Sequence, residues 1–148
     1  MNTRWTRNLF LLGMVVFAAA AQAKSLKTPA LESWLQKYGA AWVARDAKAA
    51  GALFSTGATY QENAFEAPMQ GRAAIEAYWA RVTADQRDIK FESKVVSVSG
   101  NTGVATWKAS FGLQSSGATI ELDGIFVLEF DEQGACKVLR EWWFVKPG

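Results

Sequence analysis

The chain contains no histidine. That excludes Ser-His-Asp and Cys-His nucleophilic catalysis, His-ligated metal centres and any mechanism with an imidazole base. Its single cysteine, Cys136, can form no internal disulfide even in an oxidising compartment, and reads as a small apolar core residue at a strand start. The carboxylates show no calcium-loop spacing, and no Lys/Arg cluster is placed to track phosphates. No metal, no cofactor and no nucleic-acid partner is therefore expected. The chain also lacks repeats, linkers and low-complexity segments, which makes it one domain.

What is present begins with Arg4 and Arg7, then an apolar run from Leu9 to Ala21 and the trio Ala21-Gln22-Ala23. This three-part pattern predicts a secretory signal peptide over residues 1–23, cleaved after Ala23. The run is shorter than the roughly 20 residues a membrane-spanning helix needs, so no stable membrane insertion is expected after cleavage. The mature chain, periplasmic or secreted, would comprise 148 − 23 = 125 residues, 24–148, a normal length for one domain with a real core. Losing two arginines leaves 16 − 2 = 14 basic against 14 acidic residues. The basic balance of the whole chain thus belongs to the leader, and small molecules or proteins are the expected partners.

Apolar residues Leu31, Trp34, Leu35, Tyr38, Ala41 and Trp42 recur at intervals of three and four, which predicts a helix over 30–45 with one buried stripe. Asp46 stands where an N-cap belongs, before a short second helix over 47–54 carrying Leu53 and Phe54. A strand over 58–63 follows, then a loop marked by Pro and Gly in "EAPMQGR". A third helix over 73–82 puts Ile75, Tyr78, Trp79 and Val82 on one face. The remainder reads as strands over 88–99, 102–113, 118–130 and 137–144, joined by turns short enough to make neighbours antiparallel. Within them Ala105, Trp107, Ala109, Phe111 and Leu113 share one side, as do Leu122, Gly124, Phe126, Leu128 and Phe130. The expected fold is α+β: three N-terminal helices packed on a curved antiparallel sheet, a cone that encloses a pocket. Val104, Ile125, Val127 and Trp142 fall on the outer side of that sheet, an apolar patch that predicts a homodimer.

In "ATYQENAFEAPMQG", Glu62 is in phase with Tyr60, which places a carboxylate on an inward-facing side. A carboxylate among aromatics loses hydration, so its pKa is expected to rise towards neutrality, as a general base would require. Near the C-terminus Glu141 alternates with Leu139 and Trp143, while Val138, Arg140, Trp142 and Phe144 form an equally apolar opposite phase. Periodicity does not choose between them. Six of the seven tryptophans lie in the mature chain, and flat rings suit the wall of an apolar ligand site.

The strings "YGAAWVARDAKAAGALFSTGATY", "MQGRAAIEAYW", "GIFVLEFDEQG" and "REWWF" resemble the nuclear transport factor 2-like superfamily, in particular its SnoaL-like and ketosteroid isomerase-like members. The resemblance spans almost all of the mature chain and implies the cone-shaped fold. It places Tyr38 at the oxyanion-hole tyrosine and Glu62 at the proton-shuttling carboxylate. It puts Phe126 where a second, protonated acid would stand, with Asp123 on the opposite face, and it favours Glu141 and Trp143 inside. It also implies a site for a small apolar molecule, lined by Trp42, Tyr60, Tyr78, Trp79, Trp107, Phe126, Glu141 and Trp143. With no histidine and no third acid, an exported non-catalytic binding or assembly domain is the leading expectation. The alternative is a cofactor-free isomerase, lyase or hydrolase on a small apolar carbonyl or polyketide-like compound, with Glu62 as general base and Tyr38 as oxyanion donor.

Overall fold

The first helix owes its position to that aromatic stripe. In the computed structural model, which describes residues 25–146, α1 (Thr28–Ala44) buries Leu31, Trp34, Leu35, Tyr38, Ala41 and Trp42 along one side. The expected signal peptide lies outside the described residues. Arg45 stops α1 in a left-handed conformation, φ 55°, its N–H returning to the last turn. Asp46 then caps α2 (Ala47–Ala52), its carboxylate accepting from the N–H of Ala49 at 2.9 Å. The second helix is shorter than the sequence suggests, because Phe54 already belongs to β1 (Phe54–Gln61).

A two-residue strand, β2 (Met69–Gln70), hydrogen-bonds to β1 within the stretch expected to be loop. Gly71, at φ 82°, turns the chain into α3 (Arg72–Thr83), a backbone state open to glycine at little cost. The Arg72 guanidinium donates from Nε and Nη2 to the carbonyl of Phe54, at 3.1 and 2.6 Å, tying the start of α3 to the start of β1. The long strands β3 (Gln86–Ser99), β4 (Thr102–Leu113), β5 (Thr119–Phe130) and β6 (Cys136–Val145) follow as an antiparallel meander.

Six strands form one sheet in the order β2-β1-β6-β5-β4-β3. The all-antiparallel expectation needs correction: β1 runs parallel to β6, with Tyr60 opposite Leu139, so the sheet is mixed. The long connection that parallel neighbours need is supplied by β2, α3 and the β3–β5 meander, which all lie between β1 and β6 in the chain. A register shift between Phe54 and Thr59 bends β1, hiding its first residues from a simple alternation rule. β3 also begins earlier than expected, at Gln86, and a second shift between Arg87 and Lys90 accompanies Asp88 at φ 53°. That bulge leaves Gln86 and Ile89 both buried.

The helices cover the inner face of the sheet. Gly39 of α1 meets Phe91 of β3 so closely that an added Cβ would fall 2.5 Å from the ring. Across the inner face Trp107 lies opposite Gly124, where a Cβ would sit 2.6 Å from the indole and 2.8 Å from the Trp142 carbonyl. Glycine there lets Trp107 lie flat, stacked on Phe126 at 5.3 Å and 21°.

Candidate functional site

A cavity of about 220 Å³ opens between α1, α3 and the inner face of the sheet. Of the residues expected at a site, Tyr38, Trp42, Tyr60, Glu62, Tyr78, Trp79, Trp107, Glu141 and Trp143 all line it. Phe126 does not: it is fully buried behind the wall, packed on Trp107 and edge-on to Tyr38 at 5.3 Å. The phase left open in β6 is settled by Leu139 and Glu141, which are buried, and by Trp143, which lines the cavity though it is 38% exposed, while Arg140, Trp142 and Phe144 stand on the other, exposed side. Arg140 reaches Glu129 across the outer face at 3.9 Å.

The polar groups form two hydrogen-bonded sets. Tyr60 donates its hydroxyl to Glu141 Oε1 at 2.7 Å. Having one proton, Tyr60 must then accept in its 3.0 Å contact with Tyr38, and the chain reads Tyr38 to Tyr60 to Glu141. In the second set Tyr78 donates to Glu62 Oε2. Tyr38 and Glu62 therefore belong to different sets: Tyr78 serves Glu62, and the Tyr38 hydroxyl proton is committed to Tyr60.

Burial separates the two acids. Glu62 stands half-buried just past the end of β1, where the strand releases it at the cavity edge. Glu141 is 5% exposed. Loss of hydration raises its pKa to about 8, against the lowering effect of the Tyr60 hydrogen bond and with a further rise from the nearby Glu62 charge. At neutral pH Glu141 is therefore mostly a neutral acid, with Tyr60 on Oε1 and its proton on Oε2. Glu141 is thus a fully desolvated carboxyl of the cavity, a position that alternation alone did not single out. Burial first, then Glu141, holds the hydroxyls of Tyr38, Tyr60 and Tyr78 above the ordinary phenol range, so all three act as O–H donors and not as bases.

Gln86 was missed by sequence reasoning, because its strand was expected to start two residues later. It is buried on the cavity wall, with Oε1 accepting from the Trp42 indole at 2.7 Å. Val82, Phe111, Ile120, Leu122 and Val145 complete an otherwise apolar lining. Most of these lie on the predicted inner phases of their elements, but nothing in periodicity separates cavity wall from filled core.

The SnoaL-like domain family matches residues 35–138 of this sequence, and the chain belongs to that family. Solved structures with the same fold include a candidate isomerase from Bacillus subtilis, 20% identical, with a TM-score of 0.69 over 78% of this chain and 87% of that one. A Catenulispora acidiphila protein of ketosteroid isomerase-like fold, in complex with trimethylamine, is 19% identical with a TM-score of 0.64, over 73% and 82%. SalBIII, an epoxide hydrolase/cyclase-like enzyme in pyran ring formation in salinomycin, is 16% identical with a TM-score of 0.66, over 76% and 89%. No curated protein matches the sequence.

Proposed function

We propose that the cavity binds a small, largely apolar carbonyl compound and moves a proton on it without a cofactor, as an isomerase or lyase does. The observation that carries this reading is the pair of carboxyl groups in one apolar cavity, one at the edge and one buried and held neutral. Environments that separate two acids in this way assign them different roles in proton transfer. Glu62, steadied by Tyr78, takes a proton from the carbon next to the carbonyl. Glu141, through Oε2–H, donates to the carbonyl oxygen as it gains charge. Glu62 then returns the proton, to a different carbon in an isomerisation. Tyr38 supports this from behind by fixing Tyr60 on Glu141, the place the sequence had reserved for a direct oxyanion donor.

The supporting likenesses are of fold: one structural neighbour is named as a candidate isomerase and another as epoxide hydrolase/cyclase-like. A second reading, a binding domain without chemistry, draws support from the internal commitment of the Tyr38 hydroxyl. Incubation with trans-1-decalone in D2O separates the two. Proton transfer predicts catalysed exchange of the α-hydrogens, lost in Glu62→Gln, whereas pure binding predicts saturable binding with exchange at the buffer rate.

The proposal extends to location and assembly. The leader pattern of residues 1–23 supports export to the periplasm or medium. The outer sheet face supports a homodimer: Trp142 stands beside Ile125, and Val104 beside Val127.

A further inference from the structure

Proton transfer uses one end of the cavity and leaves the other without a task. At the end it uses, Tyr38, Tyr60 and Glu141 are buried. Beyond Glu141, β6 gives the same cavity Trp143 and Val145, which are 38% and 51% exposed. Large apolar side chains that line a cavity and still face water mark a surface that something covers.

Strand register accounts for this ledge. β1 ends at Gln61, opposite Arg140, so β6 runs on with no strand neighbour on that side. On its other side Val145 lies opposite Leu122 of β5, and along β5 Ile120 lies opposite Phe111 of β4. Leu122, Ile120 and Phe111 all line the cavity, so the apolar surface continues from Val145 across the inner face. From Glu141 to Val145 is four residues of strand, about 13 Å at the ordinary rise. No polar lining residue of β5 or β6 stands beyond Glu141. Gln86, the polar lining residue outside the acid and tyrosine sets, belongs to β3, three strands from β6. The cavity is thus polarised along β6, with carboxyl groups at one end and a half-open apolar ledge at the other.

The ledge lies on the inner face, in phase with Glu141, so a partner on the outer face with Trp142 and Phe144 would leave it bare. Its continuity with the cavity makes the ligand its natural cover. A compact ring system with its carbonyl at Glu141 would stop short of Val145, whereas an extended chain would not. With C–C bonds of about 1.5 Å, a reach of 13 Å takes on the order of ten carbons. Charge decides the head group: among the described residues the lining has Glu62 and Glu141 and no Lys or Arg, so a carboxylate would be repelled.

We propose that the ligand is a neutral carbonyl compound with an unbranched apolar chain, its carbonyl at Glu141 and its chain lying over Trp143 and Val145 towards the cavity mouth. The inference deepens the proton-transfer reading and rests on it for the place of the carbonyl.

The test uses the mature chain and a series of 2-alkanones from five to thirteen carbons. Affinity should rise about two- to four-fold for each added carbon, the worth of a methylene leaving water wholly or in part, and level off only near ten carbons. In 2-undecanone the terminal methyl should show nuclear Overhauser contacts to the methyl groups of Val145 and Ile120. Val145→Asp should weaken 2-undecanone by about ten-fold and 2-pentanone much less. Should that variant fail to fold, the wild-type series and the Overhauser contacts decide. Decanoate, which carries a nine-carbon chain like that of 2-undecanone on a charged head, should bind more weakly. An affinity that stops rising at six or seven carbons, contacts to Val145 from the C1 methyl instead of the chain end, or tighter binding of decanoate would each overturn the inference. α-Hydrogen exchange in D2O, read on the same ketones, keeps the two ideas apart. A full chain-length series without exchange would support the ledge and remove proton transfer, while exchange indifferent to chain length would do the opposite.

Discussion

At the scale of single residues, the two glutamates show why burial matters more than strand phase. Glu62 was an inward-facing candidate by its phase with Tyr60, whereas alternation left Glu141 open and only the family resemblance favoured it inside. Alternation says which way a side chain points, but not how much water reaches it. Glu62 sits past the last paired residue of β1 and keeps part of its hydration, while Glu141 is enclosed in mid-strand. The raised pKa of Glu141 has a consequence for stability. Between the ordinary carboxyl value of 4.5 and about 8 the folded chain holds a proton that the unfolded chain has released. The Glu141 contribution to stability is therefore fully present below pH 4.5 and is lost as pH rises through 8. The loss is on the order of 5 kcal/mol, from about 1.36 kcal/mol per tenfold change in proton affinity. Glu141→Gln keeps an acceptor for Tyr60 and removes the titration, so its melting temperature should change much less than wild type between pH 5 and pH 9. Parallel slopes for the two proteins would show that Glu141 is not the group responsible. In Glu62→Gln, turnover or α-hydrogen exchange should fall by roughly 10²- to 10⁴-fold, the usual worth of a general base, while the fold is kept by circular dichroism.

At the scale of elements, the sequence was most legible where one period dominates. The α1 stripe and the inner phases of β4 and β5 are found where alternation put them, and Asp46 caps α2 as its position implied. What escaped was irregular. The shift in β1 concealed its first residues, the bulge at Asp88 concealed the start of β3 and with it Gln86, and β2 is too short to show a period. The parallel β1–β6 pair escaped because it joins strands far apart in the chain, a relation that local patterns do not encode. Gly124 illustrates how an element serves the site, since its missing side chain is the space in which Trp107 becomes cavity wall. Gly124→Ala should destabilise the protein by about 1–3 kcal/mol, the usual cost of overpacking, because one of the clashing atoms is backbone. Urea unfolding would measure it. An unchanged midpoint would mean that Trp107 moves aside freely.

At the scale of the whole molecule, the sheet has two faces with different uses. The inner face holds the cavity, and the outer face carries Trp142 and Phe144, at 43% and 79% exposed, beside Ile125 and Val127. Charged pairs border that patch, Lys108 with Asp123 at 3.5 Å and Lys146 with Glu121 at 2.9 Å. A homodimer through this face should sediment as a single species of twice the chain mass at tens of micromolar, a range in which interfaces of standard size are occupied; a monomer there would count against it. N-terminal sequencing of exported protein should begin at Lys24, and an intact chain recovered with the membrane would contradict export. The claim that joins the three scales is that the fold encloses a neutral carboxylic acid beside a second carboxylate, ready to move a proton on a bound carbonyl compound. It can be tested without knowing that compound, by carboxyl 13C NMR of the ligand-free protein, with the Glu141 signal assigned through its loss in Glu141→Gln. The account predicts a Glu141 titration midpoint near pH 8; a midpoint near 4.5 would contradict it.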